Sequence, residues 1–278
     1  MGVFDGVHRG HRVILQSAVR QAREIKGTSV ALTFWPHPQK EDSLYSLEHR
    51  LRLFRELGAD VCIVINFNQG FSRMRAEDFI ENILVKKLAT HYVYVGKNFR
   101  FGRSAKGDFK TLKRYNLRVK AFKIVKIKNK PISSTCIRIL IKKGNLVLAQ
   151  RLLSRPVSIL GTVIRGHSLG RRLGFPTANI NPHHEVTPPQ GVYAVKIAFS
   201  GRKFNGLCYI GNRPTMGSKE VKAIEVYIFN FKKDIYGKFL EIQFLKKIRG
   251  ERRFASLSAL AGQIKKDVLT AKKVFSHH

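Results

Sequence analysis

The feature that most constrains the fold is a change of pattern at Arg155-Pro156. Before it, stretches with the period of an amphipathic helix alternate with short apolar runs of buried strands. Residues 11–26 read as a helix ending before Gly27, and "TSVALTF" (28–34) as a strand stopped by Pro36 and Pro38. Residues 46–57 read as a helix closing at Gly58, followed by a buried strand "DVCIVINF" (60–67). A helix over 75–88, a strand "HYVYVG" (91–96), a further strand within 118–132 and one or two short helices in 135–153 continue the series. This alternation predicts a Rossmann-like α/β domain with a parallel sheet covered on both faces. After Pro156 come "SILGTVIRG", "GVYAVKIAF", "FNGLCYIG", "AIEVYIFNF" and "KFLEIQFLKKI", separated by Gly and Asn turns. That spacing predicts an antiparallel barrel, closed by an amphipathic helix over 256–275. The boundary is expected near 154–158, giving domains 1–154 and 155–278.

A chain of 278 residues is long enough for two such domains. No apolar run reaches the ~18 residues of a membrane span, and the start is not a basic-then-apolar leader. The Met-Gly opening has Gly6 where a myristoylation signal carries Ser or Thr. Cys62, Cys136 and Cys208 lie far apart with no CxxC pair, so the expectation is no zinc, no disulfide framework and a cytoplasmic setting. The 52 Lys and Arg against 18 Asp and Glu, a formal charge of +34, attract polyanions. Nucleic acid is one reading; a solvated basic surface with phosphorylated small molecules as ligands is the other. The basic residues are scattered, with only a modest cluster at Lys123–Lys130, which favours the second.

Within the first half, "FDGVHRGHRVIL" (4–15) sets His8 and His11 one turn apart at the opening of a helix. A helix start offers unpaired N–H groups and partial positive charge to a phosphate. Gly6 and Gly10 let the backbone approach it, and both imidazoles can donate to it. Fixed donors there would stabilise charge developing on a triphosphate attacked at its α-phosphorus. Taken alone the pair fits polar capping equally well. Three further stretches share its surroundings: "TFWPHP" (33–38), "VGKNFRFG" (95–102) with Asn98 and Arg100, and "ISSTCIR" (132–138) with Ser133, Ser134, Thr135 and Arg138. Each lies near the C-terminal end of an expected strand, where open α/β sheets bind ligands.

In that order these four motifs resemble the FMN adenylyltransferase module of the bifunctional bacterial riboflavin kinase/FAD synthetase family, within the HxGH nucleotidyltransferase superfamily. The resemblance implies that His8 and His11 stabilise the transition state, with Gly2, Phe4, Asp5 and Gly10 at the ATP phosphates. It places Ser133, Ser134, Thr135 and Arg138 at the triphosphate, and Asn98, Arg100 and Phe101 at the nucleotide and flavin sites. Trp35 departs from an acidic residue common in the "TFxPHP" element.

The second half carries "GHSLGRRLGFPTANI" (166–180), in which Gly166, Gly170 and Gly174 give a flexible loop and Thr177 and Asn179 project on one side of an extended segment. Their oxygens suit a hard cation such as Mg²⁺; an ordinary barrel loop would look the same. Glu225 in "AIEVYIF" is either an outward strand residue or a proton acceptor for a hydroxyl attacking ATP. These segments resemble the riboflavin kinase domain of the same family, a six-stranded Greek-key barrel with a C-terminal helix and a PTAN motif, here Pro176–Asn179. The resemblance implies Thr177 and Asn179 at Mg-ATP, Gly170 at the phosphates, Glu225 as general base toward the ribityl 5′-hydroxyl, and Arg249 at the flavin. Tyr227 and Asn230 stand where the family frequently has His and Asp.

The implied activity is phosphorylation of riboflavin to FMN in the second domain and adenylyl transfer from ATP to FMN in the first. Riboflavin, FMN and ATP are the expected partners, with no membrane and no nucleic acid. Oligomeric state is left open. In this fold the HxGH loop follows the first strand of the sheet, yet only Met1 precedes Gly2. The first domain is therefore expected to lack that strand, either because the true start lies upstream of Met1 or because the chain begins here with a damaged or patched first domain. FMN formation is expected to be more reliable than FAD formation. Two alternatives stand: a monofunctional riboflavin kinase with an inactive first domain, and a basic nucleic-acid-binding protein on a nucleotidyltransferase scaffold.

Overall fold

The computed structural model describes residues 1–36, 43–127, 130–166, 169–213 and 221–276. His37 and Pro38 of the proline turn, His167 and Ser168 of the glycine-rich loop, Lys128 and residues 214–217 lie outside the described residues. The chain divides into two units, Met1–Cys136 and Ile137–His278.

In the first unit, α1 (Arg9–Glu24) buries Ile14, Leu15, Val19 and Ala22, a stripe at helical spacing. It leads into β1 (Val30–Trp35), then α2 (Leu47–Glu56), N-capped by Ser46, and β2 (Val61–Asn66). Strands β1 and β2 pair in parallel from Val30↔Val61 to Trp35↔Asn66. A hook fixes that register: the Ser29 amide and hydroxyl both donate to Asp60 Oδ2 (2.8 and 2.6 Å), and the Asp60 amide donates back to Ser29 Oγ (3.0 Å). These bonds hold the Asp60 carboxyl below its ordinary range. Short α3 (Gln69–Ser72) and α4 (Ala76–Asp78) follow, and the helix expected over 75–88 continues with π-helical winding through Phe79–Lys87. Strand β3 (Tyr92–Gly96) pairs in parallel with β4 (Arg118–Phe122), with α5 (Phe109–Lys113) between them in the chain. The rest of the strand expected within 118–132 becomes a short antiparallel pair, β5 (Lys126–Ile127) with β6 (Lys130–Pro131).

The parallel sheet is thus two separate pairs, β1-β2 and β3-β4. Edges of β1 and β3 face a cavity of about 340 Å³ lined by Phe4, Ile14, Leu32, Leu84 and Val93 together with polar Gln21, Ser29 and Thr90. The first two residues reach across it. The Met1 amine donates to the Tyr94 carbonyl of β3 (3.0 Å), and the Gly2 amide to the Leu32 carbonyl of β1 (3.1 Å). A slot thus lies between the β1 and β3 edges.

Helix α6 (Ser134–Lys142) spans the division between the units, and α7 (Leu146–Leu153) packs against β7 (Val157–Ile164) of the second. The contact boundary thus lies ahead of α7, whereas the sequence pattern changes after it. Beyond the short α8 (Leu169–Arg172), strands β8 (Thr177–Asn181), β9 (Gly191–Phe199), β10 (Arg202–Arg213), β11 (Val221–Ile228) and β12 (Phe239–Arg249) join β7. All pair antiparallel into a closed barrel of order β10-β11-β8-β7-β12-β9. Closure leaves no exposed edge. Alternation puts Cys208, Ile210, Ile224, Val226, Ile242 and Phe244 in the interior, where burial pushes the Cys208 thiol well up. Helix α9 (Leu257–Phe275), capped by Ser256, packs Ala271 on the outward Val192, Ala194 and Leu207.

Candidate functional sites

In the first unit the backbone from Phe4 to Val7 is tightly coiled. Phe4 (φ 53°) and Val7 (φ 37°) occupy the left-handed region on either side of Gly6 (φ 74°), which costs about 1–3 kcal/mol for each non-glycine residue. A methyl on Gly6 would fall 2.5 Å from the Leu44 side chain. Several contacts hold the turn. Asp5 is buried, and its carboxylate accepts from the Leu44 and Tyr45 amides (3.0 and 3.2 Å). Arg50 Nη1 donates to the Val3 carbonyl (2.6 Å) and to Thr33 Oγ1 (3.2 Å), which itself donates to Val3 (2.9 Å). Burial lowers the Arg50 pKa, a shift opposed by the Asp5 charge. Asp5, expected beside phosphate, is placed as a brace, and an anionic carboxylate is a poor phosphate neighbour. Arg50 was not legible as a site residue, because in sequence it is one cation among many.

The turn delivers the histidines to the start of α1. The His8 and His11 rings stack at 3.6 Å with planes 20° apart, and Phe4 meets His11 edge-on at 5.3 Å. His8 is also the N-cap, its Nδ1 accepting from the His11 amide (3.4 Å). With Nδ1 an acceptor, the neutral ring carries its proton on Nε2, which is then a donor. Gly10 lies against this ring: a methyl there would approach His8 to 3.2 Å. The "SST" stretch reaches the same loop, since Ser134 Oγ donates to the Asp5 carbonyl (2.8 Å). Ser133 Oγ accepts from the Cys136 amide (3.2 Å), Thr135 is exposed, and Arg138 is buried on α6. Asn98 and Arg100 are exposed after β3, Arg100 donating to the Phe99 carbonyl (3.1 Å). Phe101 is buried between Phe79 (5.5 Å) and Phe99 (5.6 Å), a core position that supports the loop through packing. Gly2 lies at the slot, held by its bond to Leu32.

In the second unit, strand register assembles the site. Ile164, Asn179, Glu225, Tyr209, Val192 and Arg249 are successive partners across β7, β8, β11, β10, β9 and β12. Such lateral neighbours share one face, here the outer face, over whose β9, β10 and β12 part α9 packs. Thr177 projects beside Asn179 and donates to Glu225 Oε2 (3.2 Å). Two glycines make room: a methyl on Gly166 would fall 2.0 Å from Asn179 Nδ2, and one on Gly170 would fall 2.4 Å from the Phe175 carbonyl and 3.1 Å from Thr177 Oγ1. Tyr227 meets Phe175 edge-on at 5.5 Å. Arg249 is paired with Asp267 of α9 (Nη2–Oδ2 3.0 Å) and lies over the Phe254 ring at 5.6 Å. Asp267 escaped sequence reading because a carboxylate within a helix carries no local signature.

A helix start carrying stacked imidazoles, and a barrel face bearing a carboxylate beside hydroxyl and amide oxygens, define a transferase working on phosphates. The comparisons agree. A family model described as FAD synthetase matches residues 1–136, and one described as riboflavin kinase matches 153–275. Bifunctional riboflavin kinase/FMN adenylyltransferases are similar along almost all of the chain. That of Buchnera aphidicola subsp. Schizaphis graminum is 38% identical, over 99% of this chain and 93% of its own. Those of Escherichia coli K12 and Bacillus subtilis 168 are each 37% identical, over 99% and 100% of this chain and 91% and 92% of theirs. A solved structure described as a macrolide-efflux protein from Streptococcus pneumoniae aligns with a TM-score of 0.83 at 29% identity, over 98% of this chain and 92% of that one. Efflux is said of that protein; among the described residues here no helix is long and apolar enough to cross a membrane. The chain belongs to the bifunctional riboflavin kinase/FMN adenylyltransferase family.

Proposed function

We propose that the barrel phosphorylates riboflavin and that the first unit adenylylates FMN, with ATP as the co-substrate of both. The observation that carries the reading is the meeting of Thr177, Asn179 and Glu225 on one face, with Thr177 hydrogen-bonded to Glu225. In the barrel, Glu225 accepts the proton of the ribityl 5′-hydroxyl while that oxygen attacks the γ-phosphorus and ADP leaves. Gly166 and Gly170 keep the floor under Asn179 and Thr177 open to the phosphates. The donor set also fits Mg²⁺: a hydroxyl, an amide carbonyl and a nearby carboxylate are hard oxygens. Among the described residues no three His, Cys, Asp or Glu side chains converge as a metal cage, which suits an ion held largely by phosphates and water. Thr177 and Asn179 would hold it, and its charge would offset that of the triphosphate.

In the first unit an FMN phosphate oxygen attacks the α-phosphorus of ATP and pyrophosphate leaves. His8 and His11 donate to the phosphoryl oxygens as charge develops. The α1 start, Gly10 and the Ser133–Thr135 stretch receive the triphosphate, and Asn98 and Arg100 take up the nucleotide and flavin. Asp5, Arg50 and Phe101 hold the loops in place. Arg138 is assigned to the triphosphate on its place in the motif, and Arg249 to the flavin. FMN is the product of the barrel and the substrate of the first unit, so FMN should accumulate ahead of FAD. The unpaired Cys62, Cys136 and Cys208 fit a cytoplasmic setting.

Incubation with riboflavin, ATP and Mg²⁺, resolving riboflavin, FMN and FAD by chromatography, tests the reading. FMN should appear first and FAD more slowly. Absence of FMN formation would overturn the kinase assignment. Absence of FAD from supplied FMN would confine the activity to the barrel.

A further inference from the structure

Between Glu225 and Arg249 the lateral row passes through Tyr209 and Val192. Thr177 and Asn179 lie on the other side of Glu225, where the kinase reading puts ATP. A riboflavin with its 5′-hydroxyl at Glu225 must therefore extend toward Arg249, at most about 14 Å away at three strand spacings. Tyr209 is the first side chain along that path.

The ring is held from three sides. The Tyr209 hydroxyl donates to Glu251 Oε1 just beyond β12 (2.7 Å). The ring folds back along its own strand over Gly211, where a methyl would fall 2.0 Å from the hydroxyl oxygen. Its inner side packs on the cluster of Val192, Leu207 and Ala271. Burial and the bond to Glu251 push the phenol up to about 12, so it stays a protonated donor across the working range. Tyr209 remains only half-buried. A fixed, flat, partly open aromatic surface suits a planar apolar ring system, and the isoalloxazine is one.

We propose that Tyr209 is a positioning residue that sets flavin specificity, its ring pinned by Glu251 and Gly211 as the surface against which riboflavin lies with its 5′-hydroxyl toward Glu225. This rests on the kinase reading of the barrel. It separates riboflavin from sugars and alcohols that present a primary hydroxyl without a flat ring.

The test uses the full chain and three variants, Tyr209→Phe, Tyr209→Leu and Glu251→Ala, each followed by the KM for riboflavin, the KM for ATP and quenching of riboflavin fluorescence on binding without ATP. Tyr209→Leu should raise the riboflavin KM about tenfold, the worth of one aromatic contact, leave the ATP KM within twofold, and weaken the quenching. Tyr209→Phe keeps the ring and loses only its bond to Glu251, so its riboflavin KM should rise as that of Glu251→Ala does, by about threefold and less than that of Tyr209→Leu, with the ATP KM unchanged. Glu251→Ala frees the ring without altering the core and should raise the riboflavin KM alone. The inference is overturned if Tyr209→Leu and Glu251→Ala leave riboflavin KM and quenching unchanged, or if both KM values rise together. The fluorescence titration needs no turnover, so loss of the Tyr209 effect is distinguishable from loss of the kinase reading.

Discussion

The Thr177 hydroxyl donates to Glu225 Oε2 at 3.2 Å across the β8–β11 pair, so the proposed cation ligand also aims the proposed base. A positioned general base contributes roughly 10²–10⁴ in rate. Glu225→Gln keeps the side chain's size and its ability to accept from Thr177, and removes only the basicity. FMN formation should fall by about that factor, while FAD formation from supplied FMN stays as in the parent. Undiminished phosphorylation of riboflavin by the variant would reject Glu225 as the base.

His8 has two tasks, and substitution separates them. Its Nδ1 caps α1, and its ring stacks on His11. His8→Ala removes both, adding about 1 kcal/mol of lost capping to any chemical effect. Asparagine is a good N-cap, so His8→Asn should keep the thermal midpoint near that of the parent. FAD formation from FMN should fall by at least about tenfold, and FMN formation should not change. Equal FAD formation by parent and His8→Asn would reduce His8 to a cap.

Much of this was legible in sequence because local pattern and fold agree. The stripe at Ile14, Leu15, Val19 and Ala22 announces α1, and the alternation around Glu225 announces β11 and the face that Glu225 shares with Tyr227. What was not legible depends on partners remote in the chain. Asp5 sits in a motif of phosphate-binding type, yet its neighbours are amides some forty positions away, at Leu44 and Tyr45. Phe101 looked available to a flavin until Phe79 and Phe99 closed around it. Tyr209 reaches the site only through the β10–β11 register that sets it opposite Glu225, which no local pattern specifies.

The Arg249–Asp267 pair ties β12 to α9 and stands inside the proposed flavin site. Asp267 is 4% exposed and Arg249 19%. Asp267 accepts from Arg249 Nε (3.1 and 3.0 Å) and from Gln263 (2.8 Å). Arg249→Met leaves a buried carboxylate without its cation and should destabilise the barrel by about 3–5 kcal/mol. Replacing both, Arg249→Met with Asp267→Leu, should recover most of that in a urea titration. If Arg249 also contacts flavin, the stable double variant will still show a raised KM for riboflavin. A restored KM would give the arginine a purely structural part.

The slot between β1 and β3 makes the stability of a chain starting at Met1 depend on pH. The α-amino group lies within protein, bonded to the Tyr94 carbonyl, and burial lowers its pKa from 8.0 to about 5. Above pH 8 the amine is neutral in both folded and unfolded chains and contributes no penalty. As pH falls from 8 toward 5 the unfolded chain takes up a proton that the folded chain refuses, so stability declines. The decline levels off below pH 5 at about 4 kcal/mol, three pKa units at 1.36 kcal/mol each. Trp35, the chain's single tryptophan, ends β1 of this unit and reports its unfolding by fluorescence. Urea midpoints at pH 8 and pH 5.5 should differ by more in the free-amine chain than in one acetylated at Met1, where no proton can be taken up. An extension joined to Met1 through an amide should abolish the same difference, since it too leaves no amine to take up a proton. Identical pH dependence in the free and acetylated chains would show that the amine is hydrated in the folded state, and that the slot is open to water.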